Sequence, residues 1–339
     1  FGSYNTAIGI NVLSGGFFED TLTASYNTAI GYNALASTTK GLENVAIGMG
    51  AMQSNLSGGL NVAVGNEALA YSINGFNVAV GHQALGGFNN SGNENTALGY
   101  RALIKNTSAY KNIGLGWLSG SEITSGSENI SIGYLSSRFL SSGLSNIFIG
   151  NNSGPDVGFG NITNSICLGN LQANNLSNQA VIGNASTAAI GGFQNWSNYS
   201  DGRMKTNVQE NVPGLDFINK LRPVTYNRSV DLANKILGVD TIYDRSSTLY
   251  DVEKIRYTGL IAQEVEAAAQ AINFDFSGVK PAKHDKDLYS VSYSELIMPL
   301  IKAVQELSQE NELLKSKLNE VNSLKTEIQE LKQLMKEKN

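Results

Sequence analysis

The chain has 339 residues, 41% of them hydrophobic, and carries a net charge of −5 with a pI near 5.2. The hydrophobic fraction suffices for a buried core, whereas the acidic balance argues against nucleic acid as a partner. The single cysteine, Cys167, excludes an internal disulfide framework, and the sequence lacks the apolar run of about eighteen residues that membrane insertion needs. It starts with FGSYNTAIG, without a Met or a signal-like segment, so we expect the C-terminal part of a longer protein.

A repeat with few charges fills residues 1–191. Residues 1–199 hold 8 of the 29 acidic and 5 of the 24 basic residues. Typical copies are NTAIGYNAL (27–35) and NVAVGNEAL (61–69), and the motif glycines, spaced by 16 to 22 and mostly by 17 residues, are Gly9, Gly31, Gly48, Gly65, Gly81, Gly99, Gly116, Gly133, Gly150 and Gly169. A steady period of this length indicates a repeat architecture in which each unit stacks on its neighbours.

Each repeat is predicted to be a short strand followed by a turn. In NVAVG the β-branched residues alternate with alanine, which is the period of a strand with one large-residue face. The glycine that follows allows backbone conformations closed to other residues, and the asparagine can hydrogen-bond its own backbone at a corner. One repeat has too few large apolar residues for a core of its own. We therefore predict a mainly β repeat array, a β-solenoid or β-roll, that identical chains complete.

Residue types that carry chemistry are scarce in this array. His82 has no second histidine or paired cysteine at metal-ligand spacing, so we predict a surface role for it and neither a metal nor a cofactor for the chain. Cys167 stands at a strand position that other repeats fill with alanine or phenylalanine and is expected to be a small buried residue. The scattered carboxylates do not single out a glycosidase pair. The insertion 15–26 causes the one 22-residue spacing and is expected to form a loop.

Five aromatic residues of the array have two alternative roles. Phe17, Phe18, Tyr100, Tyr110 and Trp117 can pack against neighbouring coils or stack on sugar rings, and packing is the favoured interpretation. If the array recognises a receptor, turns and insertions are where a binding surface can vary, because packing fixes the coil-to-coil positions. Recognition is then predicted at the insertion and around the three later aromatic residues, with little dependence on salt.

Residues 293–339 are predicted to form a coiled coil. Asn311 takes a core position, a common device for fixing register. Apolar residues recur at steps of three and four, at Ile297, Leu300, Val304, Leu307, Leu314, Leu318, Val321, Leu324, Ile328, Leu331 and Met335. So long a stripe needs a partner, and association with identical chains is the natural one. The heptads alone do not separate a dimer from a trimer.

Four sequence blocks connect the array to the coiled coil and overlap its start: SDGRMKTNV (200–208), FINKLRPVTYN (217–227), YTGLIAQEVE (257–266) and YSVSYSELIMPLIKAVQEL (289–307). In this order they resemble the self-cleaving C-terminal intramolecular chaperones of phage tailspikes and tail fibres, the family named for endosialidase. The array before them is similar to the fibre shafts and heads found upstream of such chaperones, and to the heads of trimeric bacterial adhesins. The chain departs from the family pattern by a long insert at 228–256 and by AAAQAINFDFSGVKP, where the family has a shorter turn.

The resemblance implies how the chain is organised. It implies a homotrimer, with a trimeric β-solenoid or β-roll over residues 1–191 and a linker at 192–199. An α+β chaperone domain at 200–292 and a trimeric coiled coil at 293–339 would follow. Cleavage is implied just before Ser200.

The same resemblance assigns chemical roles at the start of the chaperone segment. Ser200 would be the nucleophile that attacks the Tyr199 carbonyl, and Lys205 would be the general base, because an unprotonated lysine can accept a serine proton. Asp201 and Arg203 match the motif and would orient the site. The implied activity is that of a single-turnover, self-cleaving serine peptidase. By residue type alone, the segment is better explained as a capped turn, in which Ser and Asp are common.

Two biological roles remain as hypotheses. The first is a tail fibre of a phage virion or of a related injection system, which attaches to a bacterial surface receptor such as a glycan. The second is a trimeric adhesin on the bacterial cell surface with a chaperone tail that is not cleaved. A glycan-cleaving tailspike is disfavoured, because the sequence contains no recognisable enzyme domain for it. Neither role calls for nucleic acid or for membrane insertion.

Overall fold

The structure is a computed structural model, and it describes residues 2–15, 23–88, 90–239 and 248–337. Most of the predicted insertion at 15–26, with Phe17 and Phe18, lies outside these described residues. The chain forms two compact units. The first contains Phe1–Gly191 and Ser229–Val252, and the second contains Gly192–Arg228 and Glu253–Asn339.

Eleven short strands form one parallel sheet in the first unit, and each inner strand pairs with the strands before and after it in sequence. They are β1 Thr6–Ile8, β2 Thr28–Ile30, β3 Val45–Ile47, β4 Val62–Val64, β5 Val78–Val80, β6 Thr96–Leu98, β7 Ile113–Leu115, β8 Ile130–Ile132, β9 Ile147–Ile149, β10 Ile166–Leu168 and β11 Ala180–Ile182. The repeats stack in register, since Ala29, Ala46 and Ala63 face one another across β2, β3 and β4. The predicted repeat array is thus confirmed as a parallel β-solenoid.

The middle residue of each inner strand points into the solenoid, and its two neighbours point outward. Ala46 is fully buried, for example, whereas Ile47 beside it is 36% exposed. The core consists of these alanines and of leucines four positions after the motif glycine, such as Leu85 and Leu103. The predicted alternation is therefore present, and the large-residue face of the strands is the outer one.

Side-chain size is matched across this narrow core. The middle of β7 is Gly114, where a Cβ would lie 2.8 Å from Cγ of Leu103, so the leucine occupies the space that alanine fills elsewhere. The middle of β9 is instead Phe148, which is fully buried, and the leucine position that follows it is Gly154. Close packing of this kind explains why small residues recur at fixed places in the repeat.

The motif asparagines form a buried ladder along the solenoid. Asn112 Oδ1 accepts hydrogen bonds from both the backbone N–H and Nδ2 of Asn129, each at 3.0 Å, and Asn129 Oδ1 accepts in the same way from Asn146. The expected bond of the asparagine to its own corner also occurs, from Asn77 Nδ2 to the Gly75 carbonyl at 3.1 Å. The main partner of each motif asparagine, however, is the asparagine of the adjacent coil.

Each complete coil turns its corners with residues of left-handed backbone conformation. Among the described residues, 27 of the 29 non-glycine residues with positive φ lie in the array. They recur before the motif asparagine, as at Lys111, and two and four positions after the motif glycine, as at Arg101 and Leu103. The motif glycines have φ near +130°, and a Cβ on Gly116 would lie 2.5 Å from the Gly133 carbonyl oxygen. Glycine is therefore required where adjacent coils approach most closely.

The second half of the chain is built from helices and short antiparallel strands. The helices are α1 Leu215–Ile218, α2 Val230–Leu237, α3 Ala262–Gln270 and α4 Ile297–Glu337. Strand β12 Val224–Tyr226 pairs with β13 Tyr257–Gly259, and β14 Val279–Lys280 pairs with β15 Ser290–Val291. In the second unit, Phe217 of α1, Val265 of α3 and Leu296 form a buried apolar cluster. The predicted mixture of helices and strands is confirmed for this small region.

The predicted insert at 228–256 has a helical part that belongs to the first unit. Ser229 caps α2, since its side chain accepts a hydrogen bond from the Leu232 N–H. Val230 of α2 and Val252 are buried together, and Ala185 of the array packs against them. The segment therefore adds a small apolar cluster near the last strand of the solenoid in sequence.

Helix α4 is 41 residues long, and most of its surface is open to solvent. Ala303 is buried near its start, whereas every residue from 307 to 336 is exposed. Pro299 lies in the first turn, where a missing N–H does no harm. No helix within the described residues is long and apolar enough to cross a membrane.

Candidate functional site

The segment around Ser200 folds into a single 3₁₀ turn, Gly202–Met204. Asp201 precedes the turn with φ −68° and ψ 129°, and its carboxylate accepts a hydrogen bond from the Arg203 N–H at 2.9 Å. Lys205 closes the turn, since its N–H bonds to the Gly202 carbonyl at 3.1 Å. The capped turn expected from residue type is therefore present. It also brings residues 200 and 205 to the same side.

Ser200 and Lys205 contact each other through their side chains. Lys205 Nζ donates a hydrogen bond to Ser200 Oγ at 2.7 Å. The same separation also suits a hydrogen bond in the other direction, from the hydroxyl to a neutral amine. The turn thus places a hydroxyl and an amine at the distance that proton transfer requires.

Asp201 and Arg203 form a separate ion pair on the same turn. Arg203 Nη2 lies 2.5 Å from Asp201 Oδ2, and both of its hydrogen-bonding nitrogens reach the carboxylate. Hydrogen bonds from the Arg203 side chain and backbone lower the pKa of the Asp201 carboxyl, and the same pairing raises the pKa of Arg203. The pair stiffens the turn and keeps the guanidinium directed to Asp201. Neither residue contributes a hydrogen bond to Ser200 or Lys205 among those the structure describes.

The site lies in a fully exposed part of the chain. Every residue from 188 to 211 is exposed, and the segment contains no strand. Three aromatic residues in it, Phe193, Trp196 and Tyr199, have more than four fifths of their surface open to solvent. Aromatic side chains normally supply much of the buried apolar area of a protein. In this segment that area is open to solvent instead.

Glu306 of α4 fixes the chain that follows the site. Its Oε2 accepts a hydrogen bond from the N–H of Leu215, the first residue of α1, at 2.7 Å. Gly214 lies against α4 so closely that a Cβ there would be 2.7 Å from the Ala303 backbone nitrogen. Sequence reasoning missed Glu306, because the pairing joins residues 91 positions apart and has no local signature.

The aromatic residues predicted for the array are placed by packing. His82, Tyr100, Trp117 and Tyr134 stack in one row, with ring centres 5.3, 5.7 and 5.0 Å apart and planes within 13° of parallel. Tyr100 and Trp117 are inner members of the row, so each ring has a stacked neighbour on both faces, while 37% and 42% of their surfaces stay exposed. Tyr110 is 43% exposed, with a lysine ammonium 5.8 Å from its ring centre. These contacts favour the packing interpretation and leave receptor recognition a prediction.

Cys167 is buried, as predicted, at the middle of β10. Its Sγ donates to the Gln172 carbonyl at 3.0 Å, and burial raises the pKa of the thiol to about 12. His82 contributes its ring to the aromatic row and is exposed. Among the described residues, no group of three or more His, Cys, Asp or Glu side chains is arranged to hold a metal ion.

Comparison with known proteins gives one match. Nothing matches among curated proteins or among solved structures. Residues 200–273 match the family model described as chaperone of endosialidase. The match begins at the serine of the Ser200–Lys205 contact and covers the region from the 3₁₀ turn through α3. It supports a chaperone domain of the endosialidase type in the second half of the chain.

Proposed function

We propose that the chain is the distal part of a trimeric, tail-fibre-like protein that attaches a virion or a related injection system to a bacterial surface. Its second half would be an intramolecular chaperone that drives trimerisation and is released by self-cleavage. The observation that carries the proposal is the start of the family match at Ser200, whose Oγ lies 2.7 Å from Lys205 Nζ. An endosialidase-type chaperone segment that follows a parallel β-solenoid in sequence fits a tail-fibre-like protein.

The outer face of the strands supports trimerisation of the array. Large apolar side chains on this face are exposed in the single chain, such as Leu98 at 53% and Ile149 at 40%. They repeat from coil to coil along the sheet and form one continuous apolar strip. Contiguous exposed apolar surface is typical of association sites, which supports the proposal. The same strips of two identical chains can cover this strip, because the spacing between coils is the same in all three chains.

Helix α4 supports association independently of the array. Its residues 307 to 336 are exposed on all sides, although Leu314, Leu318 and the other heptad positions form an apolar stripe. A single helix of this kind has little tertiary packing to stabilise it. In a parallel coiled coil the stripe is buried, and the three chaperone segments that precede it are brought together.

The proposed self-cleavage has three steps, and the contact between Ser200 Oγ and Lys205 Nζ supports the first of them. Neutral Lys205 takes the proton from Ser200 Oγ, and the oxygen attacks the carbonyl carbon of Tyr199. The bond between this carbon and the Ser200 nitrogen then breaks, the nitrogen is protonated, and an ester joins Tyr199 to Ser200 Oγ. Water hydrolyses the ester and leaves a carboxylate on Tyr199 and a free amine and hydroxyl on Ser200.

Assembly supplies the condition that the single chain lacks for this reaction. A lysine acts as a base only in its neutral form, which burial favours. In the single chain both Ser200 and Lys205 are exposed, and so is the aromatic segment before them. Burial of Phe193, Trp196 and Tyr199 between three chains would remove water from the turn. Cleavage would then occur only after correct assembly.

The chaperone has a physical task in such a protein. Three arrays of near-identical coils can pair out of register, because weakly distinguished strands specify their alignment poorly. A trimeric C-terminal segment holds the three ends level while the arrays associate. After cleavage, an unfolded fibre cannot refold easily, because the chaperone is gone. The lifetime of the folded fibre then depends on a slow unfolding rate.

The test is expression of the full chain followed by denaturing gel electrophoresis and light scattering. Wild type is expected as a trimer that yields two fragments, of about 199 and 140 residues. Ser200→Ala and Lys205→Ala should trimerise and remain uncut, whereas the control Ser197→Ala, which removes a nearby exposed hydroxyl, should be cut as wild type is. A stable wild-type monomer would refute trimerisation. An uncut wild-type trimer would refute the peptidase part and leave a chaperone that is not cleaved.

A second variant tests the dependence of cleavage on assembly. The double substitution Leu314→Asp and Leu318→Asp places charges in the apolar stripe of α4, far along the chain from the turn. We expect monomers that stay uncut. Efficient cleavage in these monomers would show that the turn needs no help from partner chains.

A further inference from the structure

We infer that the solenoid carries a binding pocket for a neutral pyranose saccharide, formed by Tyr71, Phe88, Arg101 and Lys105. The pocket has a volume of about 480 Å³ and lies across consecutive coils of the array. It adjoins the stacked aromatic row through Arg101, whose guanidinium carbon lies 5.3 Å from the ring centre of Tyr100. The inference deepens the proposed attachment role and rests on that role for its biological meaning, while binding itself can be measured independently.

The floor of the pocket is bare backbone. Gly86 and Gly87 stand where the coil before has Ala70 and Tyr71 and the coil after has Ile104 and Lys105. A Cβ on Gly87 would lie 2.0 Å from the Ile104 carbonyl oxygen, so no side chain fits there. Two adjacent positions without side chains leave a notch between larger neighbours.

One wall of the notch is an aromatic pair with an open face. The rings of Tyr71 and Phe88 have centres 4.2 Å apart. Phe88 is 71% exposed, so its second face is open to solvent. In contrast to the inner rings of the aromatic row, this ring is available to a ligand. An aromatic face is a suitable surface for the apolar C–H face of a sugar ring.

The lining also contains a hydrogen-bonded series of polar side chains. Arg101 Nε donates to Gln83 Oε1 at 2.6 Å, and Gln83 Nε2 donates to Glu67 Oε2 at 2.6 Å. These bonds orient the amide and hold the guanidinium in place. The two terminal nitrogens of Arg101 and Oε1 of Glu67 have no hydrogen-bond partner among the described residues. The nitrogens can therefore donate to a ligand, and the oxygen can accept from one. Donors and an acceptor held side by side match vicinal hydroxyls.

The charges of the pocket favour an uncharged ligand. Lys105 Nζ pairs with Glu122 Oε2 at 2.6 Å, and Arg101 lies in the same polar series as Glu67. The lining carries Arg101, Lys105 and Glu67, and Glu122 outside the lining offsets Lys105, so two cations are balanced by two carboxylates and little charge is left to hold a phosphate or a carboxylated sugar. Its volume is within the range of small-molecule sites and suits a ligand of about one or two sugar rings.

The pocket lies on the side of the coil away from the outer strand face. Its residues belong to the segment that follows the strand, and the buried Leu85 and Leu103 of that segment pack inward against the strands. Association through the strand faces therefore leaves the pocket open. A trimer presents three copies, and avidity can raise the overall affinity of weak single sites.

The experiment is ligand-observed saturation-transfer NMR on the full chain with the methyl pyranosides of glucose, galactose and mannose, and with glucuronate as the charged probe. We expect transfer to at least one neutral pyranoside, with titrated affinity unaffected by added salt. Phe88→Ala and Arg101→Ala should each weaken binding at least about tenfold. The control Phe76→Ala removes a phenylalanine of the array that is 60% exposed but outside the pocket, and it should bind as wild type does.

Three results would overturn the inference: no transfer to any neutral pyranoside, equal binding by Phe88→Ala and wild type, or binding of glucuronate alone that salt abolishes. Trimer mass and cleavage are measured on the same samples. Loss of binding in Phe88→Ala with both of these intact would support the pocket. A wild type that binds sugar but neither trimerises nor cleaves would refute the proposed function and leave the pocket standing.

Discussion

Replacement of Asn112 with alanine is expected to destabilise the solenoid strongly, because this buried side chain joins three coils. Its Nδ2 donates to Asn95 Oδ1 at 3.2 Å and to the Gly126 carbonyl at 2.8 Å, and its Oδ1 accepts two bonds from Asn129 at 3.0 Å. Alanine leaves the buried Asn129 N–H without an acceptor, which costs about 1–3 kcal/mol, and the other lost bonds add about 0.5–1.5 kcal/mol each.

A water molecule that enters the vacated space would recover part of this loss. We therefore expect the free energy of unfolding to fall by about 3 kcal/mol, or roughly 100-fold in the folding equilibrium. The exposed Asn151 is the matched control, since its Oδ1 accepts from the Tyr134 N–H at 2.9 Å in contact with solvent. Asn151→Ala should cost no more than about 0.5 kcal/mol, because water replaces the lost acceptor.

The assay is equilibrium urea unfolding, followed by far-ultraviolet circular dichroism, with both variants in a Ser200→Ala background. The uncut background keeps the chaperone attached, so that refolding can be checked for reversibility. Equal losses for Asn112→Ala and Asn151→Ala would refute the reasoning. The ladder would then align the coils without stabilising them.

Two further predictions concern the close packing of the coils. Gly116→Ala should prevent the coils from stacking and give insoluble protein, because the φ of Gly116 is +131° and the new Cβ would lie 2.5 Å from the Gly133 oxygen. Gly158 is the control, since its φ is +94° but no atom lies within 4 Å of the new Cβ. Gly158→Ala should lower the free energy of unfolding by only about 1–2 kcal/mol and leave the protein soluble. Cys167 should resist thiol reagents in the folded chain at pH 9. Because burial raises its pKa from 9.0 to about 12, the folded thiol keeps its proton while the unfolded one ionises, so stability should hold below pH 9 and fall as pH rises towards 12. The measurement is the urea midpoint between pH 9 and 12 for wild type and for Cys167→Ala. An equally steep decline in both proteins would contradict this role of the thiol.

The strands of the solenoid were predictable because large apolar and small residues alternate in the same way in each NxAxG copy. The direction of that alternation was not predictable, since a sequence does not say whether alanine or isoleucine faces inward. Size matching explains the outcome: a core narrow enough for Leu103 to reach Gly114 has no room for a second large side chain. The ladder of asparagines was not predictable either. An asparagine can bond its own backbone at a corner or the asparagine of the next coil, and the residue type is the same in both cases.

The candidate site was predictable where its residues lie close together in the sequence. Ser200 and Lys205 lie five positions apart, and a single turn is enough to bring their side chains together at 2.7 Å. Glu306 lies 91 positions from Leu215, and no periodicity connects the two. The saccharide pocket was missed for a similar reason, because the notch at Gly86 and Gly87 is defined by side chains of the coils before and after it.

The left-handed corners have a kinetic consequence. A non-glycine residue in this conformation costs about 1–2 kcal/mol, and the coil after Gly99 contains three of them, Arg101, Leu103 and Lys111. Their N–H groups all bond to carbonyls of adjacent coils, so the strain is compensated only when a neighbour is already folded. A first coil is therefore expensive to nucleate, whereas each later coil adds readily to an existing end. A chaperone attached at the C-terminal end of the array would act as a seed, and the solenoid would grow from it towards the N-terminus.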